Sequence, residues 1–423
     1  MNQARVGIGV AIVLMGTAIV AHALPQSGEY EASPVQSASK TLPAALLSGP
    51  RFKVQDQAPT DGFMPQFTIQ SDFGQYVVSG HEMLAVRVQE IAALDKLEEI
   101  SKTDAFAGAM AASAKKTGKA VANVVTNPKE TAEGIPKGVG RFFKGVGKKA
   151  EKAGASAVDS VKEEDDDEDV PGQTSTSQKA GEAAKSVTGA NKAKRQLAKK
   201  FQVDPYSNKA ALQKKLDDLA MAMSAGGLAM SVVNPIPLTS TVASVNGLVW
   251  DTPAPDLKAM NDKKLAALGV TPPARKALFA NSFFTPSQQT GFVTALASLQ
   301  GVTGVDAAVA LAARKARSED DARFFRRSAE VLALYQKKAG PLASLEARKS
   351  LFVAHARSGA FVVPAAVDYL TWMENVDHFS AEPVPGAKAR EVWLTGQASS
   401  KAKAELQSRG WVVKENVLGT GGR

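Results

Sequence analysis

The segment from Ala105 to Lys200 most constrains how this chain folds. It is rich in Ala, Gly, Lys, Ser and Thr, and its centre is a run of seven acidic residues, Glu163 to Asp169, between lysine-rich stretches. The few large apolar side chains of this segment cannot offset the conformational entropy that the chain would lose on ordering. We therefore predict a low-complexity basic and acidic linker over 105–200. A loose calcium site in the acidic run is the alternative, although the run lacks the spacing and glycine turn of an EF-hand.

The first 23 residues are typical of an export signal. Arg5 precedes an uncharged apolar run from Val6 to Val20, and Ala21-His22-Ala23 is a small-x-small cleavage site. A membrane anchor is the alternative, but the run is shorter than the roughly 20 residues that span a bilayer. With no Cys in the chain and no glycosylation sequon, we expect a bacterial protein that is periplasmic or secreted.

Residues 24–63 are rich in Pro, Ser, Ala and Gln without sustained periodicity, so we predict a flexible tether. Residues 64–104 predict a ββα unit. Phe67 to Ser71 and Tyr76 to Val78 alternate as strands around a turn at Asp72-Phe73-Gly74, and His81 to Ser101 carries apolar residues at helical spacing.

Residues 201–357 predict a helical main domain. Capping residues followed by Pro or acids mark helix starts at Asp204, Thr252, Thr271, Thr285 and Ser318.

The last region, 358–423, predicts a short β-α-β closure and a tail. Its strands are Ala360 to Val363, Glu391 to Leu394 and Trp411 to Val413, with a helix from Ser399 to Arg409. The fold class that follows is mainly α with small β elements, an α+β protein.

Within the linker, residues 135–161 resemble a basic amphipathic helix, which lies on anionic surfaces with its apolar face down. Five glycines oppose this interpretation, and a packed helix or a plain linker is the alternative. The predicted binding residues are Lys137, Arg141, Phe142, Phe143, Lys144, Lys148 and Lys149.

The stretch from Leu219 to Trp250 is uncharged. Its two arms are short and rich in Ala, Ser and Gly, so we predict buried core helices joined by a turn. A membrane-inserting hairpin is the alternative.

A candidate catalytic group lies in the closure and contains Asp368, Glu374, Asp377 and His378. Glu374 and His378 are four residues apart, so a helix would put them on one face as an acid–base pair or metal ligands. The same spacing is common on plain solvated helices, and no second His stands at ligand spacing, so we predict no metal site.

Several function classes are excluded or disfavoured. The absence of Cys excludes thiol catalysis and Cys-type metal clusters, and no hydrolase or P-loop motif occurs, so no cofactor is predicted. Aromatic residues make up only 6% of the chain, so the sequence does not predict nucleic-acid binding.

With 51 Lys and Arg against 42 Asp and Glu, we expect a non-catalytic exported protein. Its expected partner is an envelope protein, an anionic lipid surface or a cell-wall polymer. The alternatives are a periplasmic hydrolase that uses the residues near 368–378, and a membrane-active or pore-forming protein.

Overall fold

The structure is a computed structural model that describes residues 30–117, 176–224, 229 and 247–419. The fold class is mixed α+β, as the sequence predicts. The predicted signal peptide, the amphipathic segment 135–161, the acidic run 163–169 and most of the uncharged stretch after residue 224 lie outside the described residues.

The strands fall into an N-terminal and a C-terminal group. They are β1 Val35–Ser37, β2 Ser48–Gly49, β3 Phe52–Val54, β4 Gln57–Pro59, β5 Gln66–Ser71, β6 Gly74–Ser79, β7 Leu342–Arg348, β8 Leu351–Ala356, β9 Ala360–Ala365, β10 Tyr369–Leu370, β11 Ala389–Leu394, β12 Gln397–Ala398 and β13 Trp411–Lys414.

Most of the described helices lie between these two groups. The helices are α1 Ala38–Thr41, α2 Ala44–Leu47, α3 Gly80–Ser101, α4 Asp104–Thr117, α5 Thr176–Phe201, α6 Ala210–Ser224, α7 Leu248–Asp251, α8 Ala254–Ala267, α9 Pro272–Ala280, α10 Pro286–Ala297, α11 Val305–Lys315, α12 Glu319–Lys338, α13 Glu374–Ala381 and α14 Ser400–Ser408.

The predicted hairpin and the helix after it are both present. Strands β5 and β6 pair antiparallel, with Ser71 opposite Gly74 around the turn. The alternating side chains Phe67 and Ile69 are buried and pack in one core with the apolar stripe of α3. A period of two on the strands and a helical period on α3 therefore bury one common face.

Residues 31–63 differ from the predicted tether. Strands β2 and β3 extend the hairpin into a four-stranded antiparallel sheet in the order β2-β3-β5-β6. Ala38, Leu42 and Leu46 are buried in the same core as α3. The strands are only two or three residues long, which is too short for a sustained periodicity, and they pair with one another and with β5.

A second core lies among α3, α4, α5 and α6. Helices α4 and α5 both fall in the region predicted as a linker, and α5 continues to Phe201. Leu197 and Phe201 are fully buried there. Their spacing of four residues is a helical stripe that the surrounding lysines and small residues obscured.

Three predicted helix starts are N-caps. Thr271 precedes α9, and the Thr285 and Ser318 hydroxyls accept hydrogen bonds from the first turns of α10 and α12. The predicted start at Asp204 is wrong, because α6 begins at Ala210. Asp204 instead stabilises a turn in which its carboxylate accepts the Tyr206 N–H at 2.8 Å.

The C-terminal sheet has the strand order β13-β11-β9-β8-β7. Strands β9, β11 and β13 are parallel, with α13 and α14 in the connections, which gives the predicted β-α-β. Strands β7 and β8 add an antiparallel hairpin, so 342–356 are not helical as predicted. Leu351 to Ala354 are all buried, and a continuous apolar run of this length is typical of a strand covered on both faces.

Within the described ranges, no helix is both long and apolar enough to cross a bilayer.

Candidate functional site

The structure gives the residues of the predicted catalytic group different partners. Asp368 lies between β9 and β10, whereas Glu374, Asp377 and His378 lie on α13. Glu374 and His378 keep the predicted spacing on one helix, and both are exposed. The part of the chain that the structure describes contains no cluster of three or more side chains suited to a metal ion.

Asp368 contacts the N-terminal end of α3, 287 residues earlier in the chain. Its Oδ2 accepts the backbone N–H of His81 at 2.6 Å and lies 2.9 Å from His81 Nδ1. A carboxylate that accepts an N–H of the first turn acts as a helix cap and complements the helix dipole. The histidine partner of Asp368 is therefore His81, not His378.

Asp377 forms an ion pair inside the C-terminal region. Its Oδ1 lies 2.9 Å from Nη2 of Arg409, which follows α14, and both side chains are largely buried. The Arg409 guanidinium stacks on the fully buried Trp372 ring at 4.5 Å. The contact joins α13 to the end of α14.

Glycine is required at position 80 for the approach of Asp368. Gly80 has φ of +83°, and a Cβ there would lie 2.9 Å from Asp368 Oδ2. Any other residue would combine backbone strain with a close contact to the carboxylate.

The pKa values of His81 and Asp368 move apart. Burial disfavours the imidazolium, but the charge and hydrogen bond of Asp368 outweigh it and raise the pKa of His81. Burial also disfavours the carboxylate, but His81 and then Arg327 outweigh it and hold the pKa of Asp368 below its usual value. The two groups form a stabilised ion pair when His81 is protonated.

Three arginines of α12 converge on Glu82, the next residue of α3. Glu82 Oε1 lies 2.8 Å from Arg323 Nη1 and also contacts Arg326 Nη2, while Oε2 lies 3.0 Å from Arg327 Nε. Burial disfavours the carboxylate, but the three guanidinium groups hold the pKa of Glu82 well below its usual range. We call Glu82 with these arginines the arginine cluster.

Helix α12 places these arginines by its own geometry. Positions 323, 326 and 327 share one helix face, and Arg323 and Arg326 are only 8% and 4% exposed. Glu319 contacts Arg323 at 3.2 Å, and Glu330 contacts Arg327 at 3.1 Å as well as Arg326. With Glu319 and Glu330, three carboxylates face the three arginines, so the charges balance, and the arginine cluster joins α3 to α12.

A second polar group lies further along α3. Arg87 and Glu90 are buried and paired one helical turn apart, and Ser207 Oγ donates to Glu90 Oε1 at 2.5 Å. Asp204 accepts the Ser287 hydroxyl at 2.5 Å. Burial, added to the charges of Glu90 and Glu319, raises the pKa of Asp204 to about 6.

Sequence reasoning missed His81, Glu82 and the three arginines of α12. The available signal was the Arg-x-x-Arg-Arg pattern at 323–327 within a helix whose neighbouring positions are apolar. Cations at buried helical positions require acidic partners, but the sequence around 323–327 does not indicate that Glu82 is the shared partner. The predicted binding residues between Lys137 and Lys149 lie outside the described residues.

These charged contacts attach the first turn of α3 to the rest of the fold, and we call the contacts of His81 and Glu82 the α3 joint. His81 and Glu82 are consecutive anchors in the first turn of α3, the first held by Asp368 of the loop after β9 and the second by the arginines of α12. His81 Nε2 is buried and has no hydrogen-bond partner among the described residues. A general base would present that nitrogen to a substrate.

No protein family, curated protein or solved structure matches this chain.

Proposed function

We propose that the protein is a non-catalytic, exported component of the bacterial envelope that binds an anionic surface or another envelope component. The observation that carries the non-catalytic part is the position of Asp368, whose carboxylate caps α3 and pairs with His81. Asp377 is likewise engaged by Arg409. Both acids of the candidate catalytic group that are buried thus serve contacts within the fold.

The binding part of the proposal depends on residues 135–161. Each basic residue near an anionic membrane contributes about 1 kcal/mol, and the phenylalanines would insert into the interface. An acidic cell-wall polymer would be bound by the same cations without a contribution from the phenylalanines.

The test is sedimentation of the full chain with vesicles of anionic or neutral lipid and with an immobilised acidic polymer. For a lipid surface, we expect Lys144, Lys148 and Lys149 to Gln, and separately Phe142 and Phe143 to Ser, to reduce anionic-vesicle binding. Binding should also fall as salt rises, because surface charges are screened within about 10 Å at 0.1 M.

A matched control separates a local site from net charge. Replacing Lys263, Lys276 and Lys337 with Gln removes the same charge from exposed positions of α8, α9 and α12. Equal losses in both lysine variants would overturn a site at 135–161. Loss of polymer binding in the segment variant alone, with the phenylalanine variant unchanged, would assign the partner as a polymer.

A hydrolase is the second candidate, because one observation favours it. A carboxylate hydrogen-bonded to a histidine ring, as Asp368 is to His81, is the arrangement that orients a general base. We expect no turnover of ester, peptide or glycoside substrates by the purified protein. Turnover that is lost in both His81→Gln and Asp368→Asn, and kept in His378→Gln, would favour the hydrolase.

A further inference from the structure

The loop after β9 joins the C-terminal sheet to the N-terminal residues through a small set of hydrogen bonds. The N–H groups of Asp368 and Tyr369 both donate to the Phe63 carbonyl at 3.0 Å, and Thr371 donates to the Gly62 carbonyl at 2.9 Å. The His81–Asp368 pair lies beside them and is the charged contact of this loop with α3.

We infer that His81 and Asp368 form a pH-sensitive latch that holds α3 and residues 62–63 against the loop after β9. The latch is closed when His81 is protonated and weakens when His81 becomes neutral. Its geometry requires Gly80, since a Cβ at that position would lie 2.9 Å from the Asp368 carboxylate.

The groups that face His81 make its protonation the change that opens or closes the latch near neutral pH. Its ring packs on the apolar Phe67 of β5 at 5.4 Å, and Asp368 faces it from the loop. From α12, Arg327 acts on Asp368 and forms an ion pair with Glu82, the neighbour of His81. Arg327 and Glu82 keep their charges across neutral pH, so His81 is the member of this set that titrates there.

The direction of the effect follows from linkage. Because the folded-state pKa of His81 is raised above its ordinary 6.5, the pair stabilises the fold fully below pH 6.5. That contribution is lost as pH rises through the raised pKa. The pKa of Asp368 is lowered from 3.8, so Asp368 stays ionised in mildly acidic solution and the latch remains closed there.

The test is hydrogen exchange of the full chain between pH 5.5 and 9, corrected for the intrinsic exchange rate and read on peptides that cover 60–66 and 366–373. In the wild type, we expect protection to fall by up to about tenfold per pH unit above 6.5 and then to level off. His81→Gln removes the titrating charge, so its protection should be lower at pH 6 and flat across the range.

His355→Gln is the matched control. His355 Nε2 lies 2.9 Å from Glu346 Oε2, and its side chain is 37% exposed, as is that of His81. Glu346 is 43% exposed, however, whereas Asp368 is 17% exposed. Solvent screens such a pair, so the control should keep the wild-type profile.

A second measurement does not depend on any variant folding. The His81 ring of the wild-type chain, followed by NMR, should titrate above pH 6.5. Titration at or below 6.5 would overturn the latch, and so would wild-type protection that is flat from pH 6 to 9. A His81→Gln variant that keeps the wild-type decline would overturn it as well.

Discussion

The N-terminal and C-terminal sheets differ in what holds them to the rest of the molecule. The C-terminal sheet is covered on both faces, with Trp393 against Tyr335 of α12 on one side and Val363 near α13 and α14 on the other. All six residues of β9 are buried. The N-terminal sheet buries one face against α3, and the first turn of α3 is anchored by His81 and Glu82.

This difference shows that one chain uses two modes of attachment. Apolar packing is the more tolerant of the two, because a lost methyl group costs its transfer free energy and the cavity it leaves, together about 0.5 to 1.5 kcal/mol. A joint made of buried charges is intolerant, because removing one partner leaves the others desolvated and unpaired. Changes of one atom should therefore weaken the α3 joint far more than the C-terminal sheet.

The largest effect is expected for Glu82→Gln. The change leaves three arginines, two of them almost fully buried, with two carboxylates, those of Glu319 and Glu330, in place of three. We therefore expect a loss of about 3 to 5 kcal/mol in the free energy of unfolding. Urea unfolding of the full chain at pH 7 measures it.

The matched change on the C-terminal side is Asp377→Asn. This change affects a single arginine, and Arg409 keeps one carboxylate, that of Glu405, at 2.5 Å, so its charge stays balanced. We therefore expect a smaller loss, about 1 to 2 kcal/mol. Equal losses in the two variants would remove the distinction between the joint and the sheet.

An intermediate effect of opposite sign is expected for Asp204→Asn. Burial raises the folded pKa of Asp204 to about 6 from 3.8, so its contribution favours the fold below about pH 4 and is lost as pH rises through 6. At pH 7 the buried charge is a cost, and its removal should stabilise the protein by about 3 kcal/mol, the equivalent of the shift from 3.8 to about 6.

Unfolding midpoints measured from pH 4 to 8 test this prediction. The wild type should lose stability relative to Asp204→Asn between pH 4 and 6. Above that range, the difference in stability between the two proteins should be constant. Parallel curves over the whole range would contradict it.

The smallest effect is expected for Val363→Ile. Val363 lines an apolar cavity of about 30 Å³ beneath α13 and α14, which has room for one added methyl group. Filling it should stabilise the protein by about 0.5 to 1 kcal/mol.

Val362→Ile on the same strand is the control for that change. Val362 is fully buried and does not line this cavity, so the added methyl group should be destabilising by about 1 to 3 kcal/mol. Thermal unfolding of both variants decides whether the C-terminal sheet has spare volume on one face only.

The sequence predicted the elements whose pattern is local. The hairpin of β5 and β6, the helix α3 and the parallel strands β9, β11 and β13 each carry their own periodicity or apolar run. Strands β1 to β4 could not be predicted, because each is only two or three residues long and carries no period. The first-turn anchors of α3 could not be predicted, because their partners on α12 and at Asp368 lie 241 to 287 residues away. Nothing near Asp368 indicates that its hydrogen-bond partner is His81, and the more obvious histidine, His378, is exposed on α13.

The bonds of Glu31 set an order for folding. Its carboxylate accepts the Ser399 hydroxyl at 2.5 Å, from 368 residues further along the chain. At a synthesis rate of about 5 to 20 residues per second, Glu31 waits roughly 20 to 70 s for that partner to be made. Contacts of such long sequence separation form slowly, so the residues before β1 cannot complete their contacts until nearly the whole chain has been synthesised.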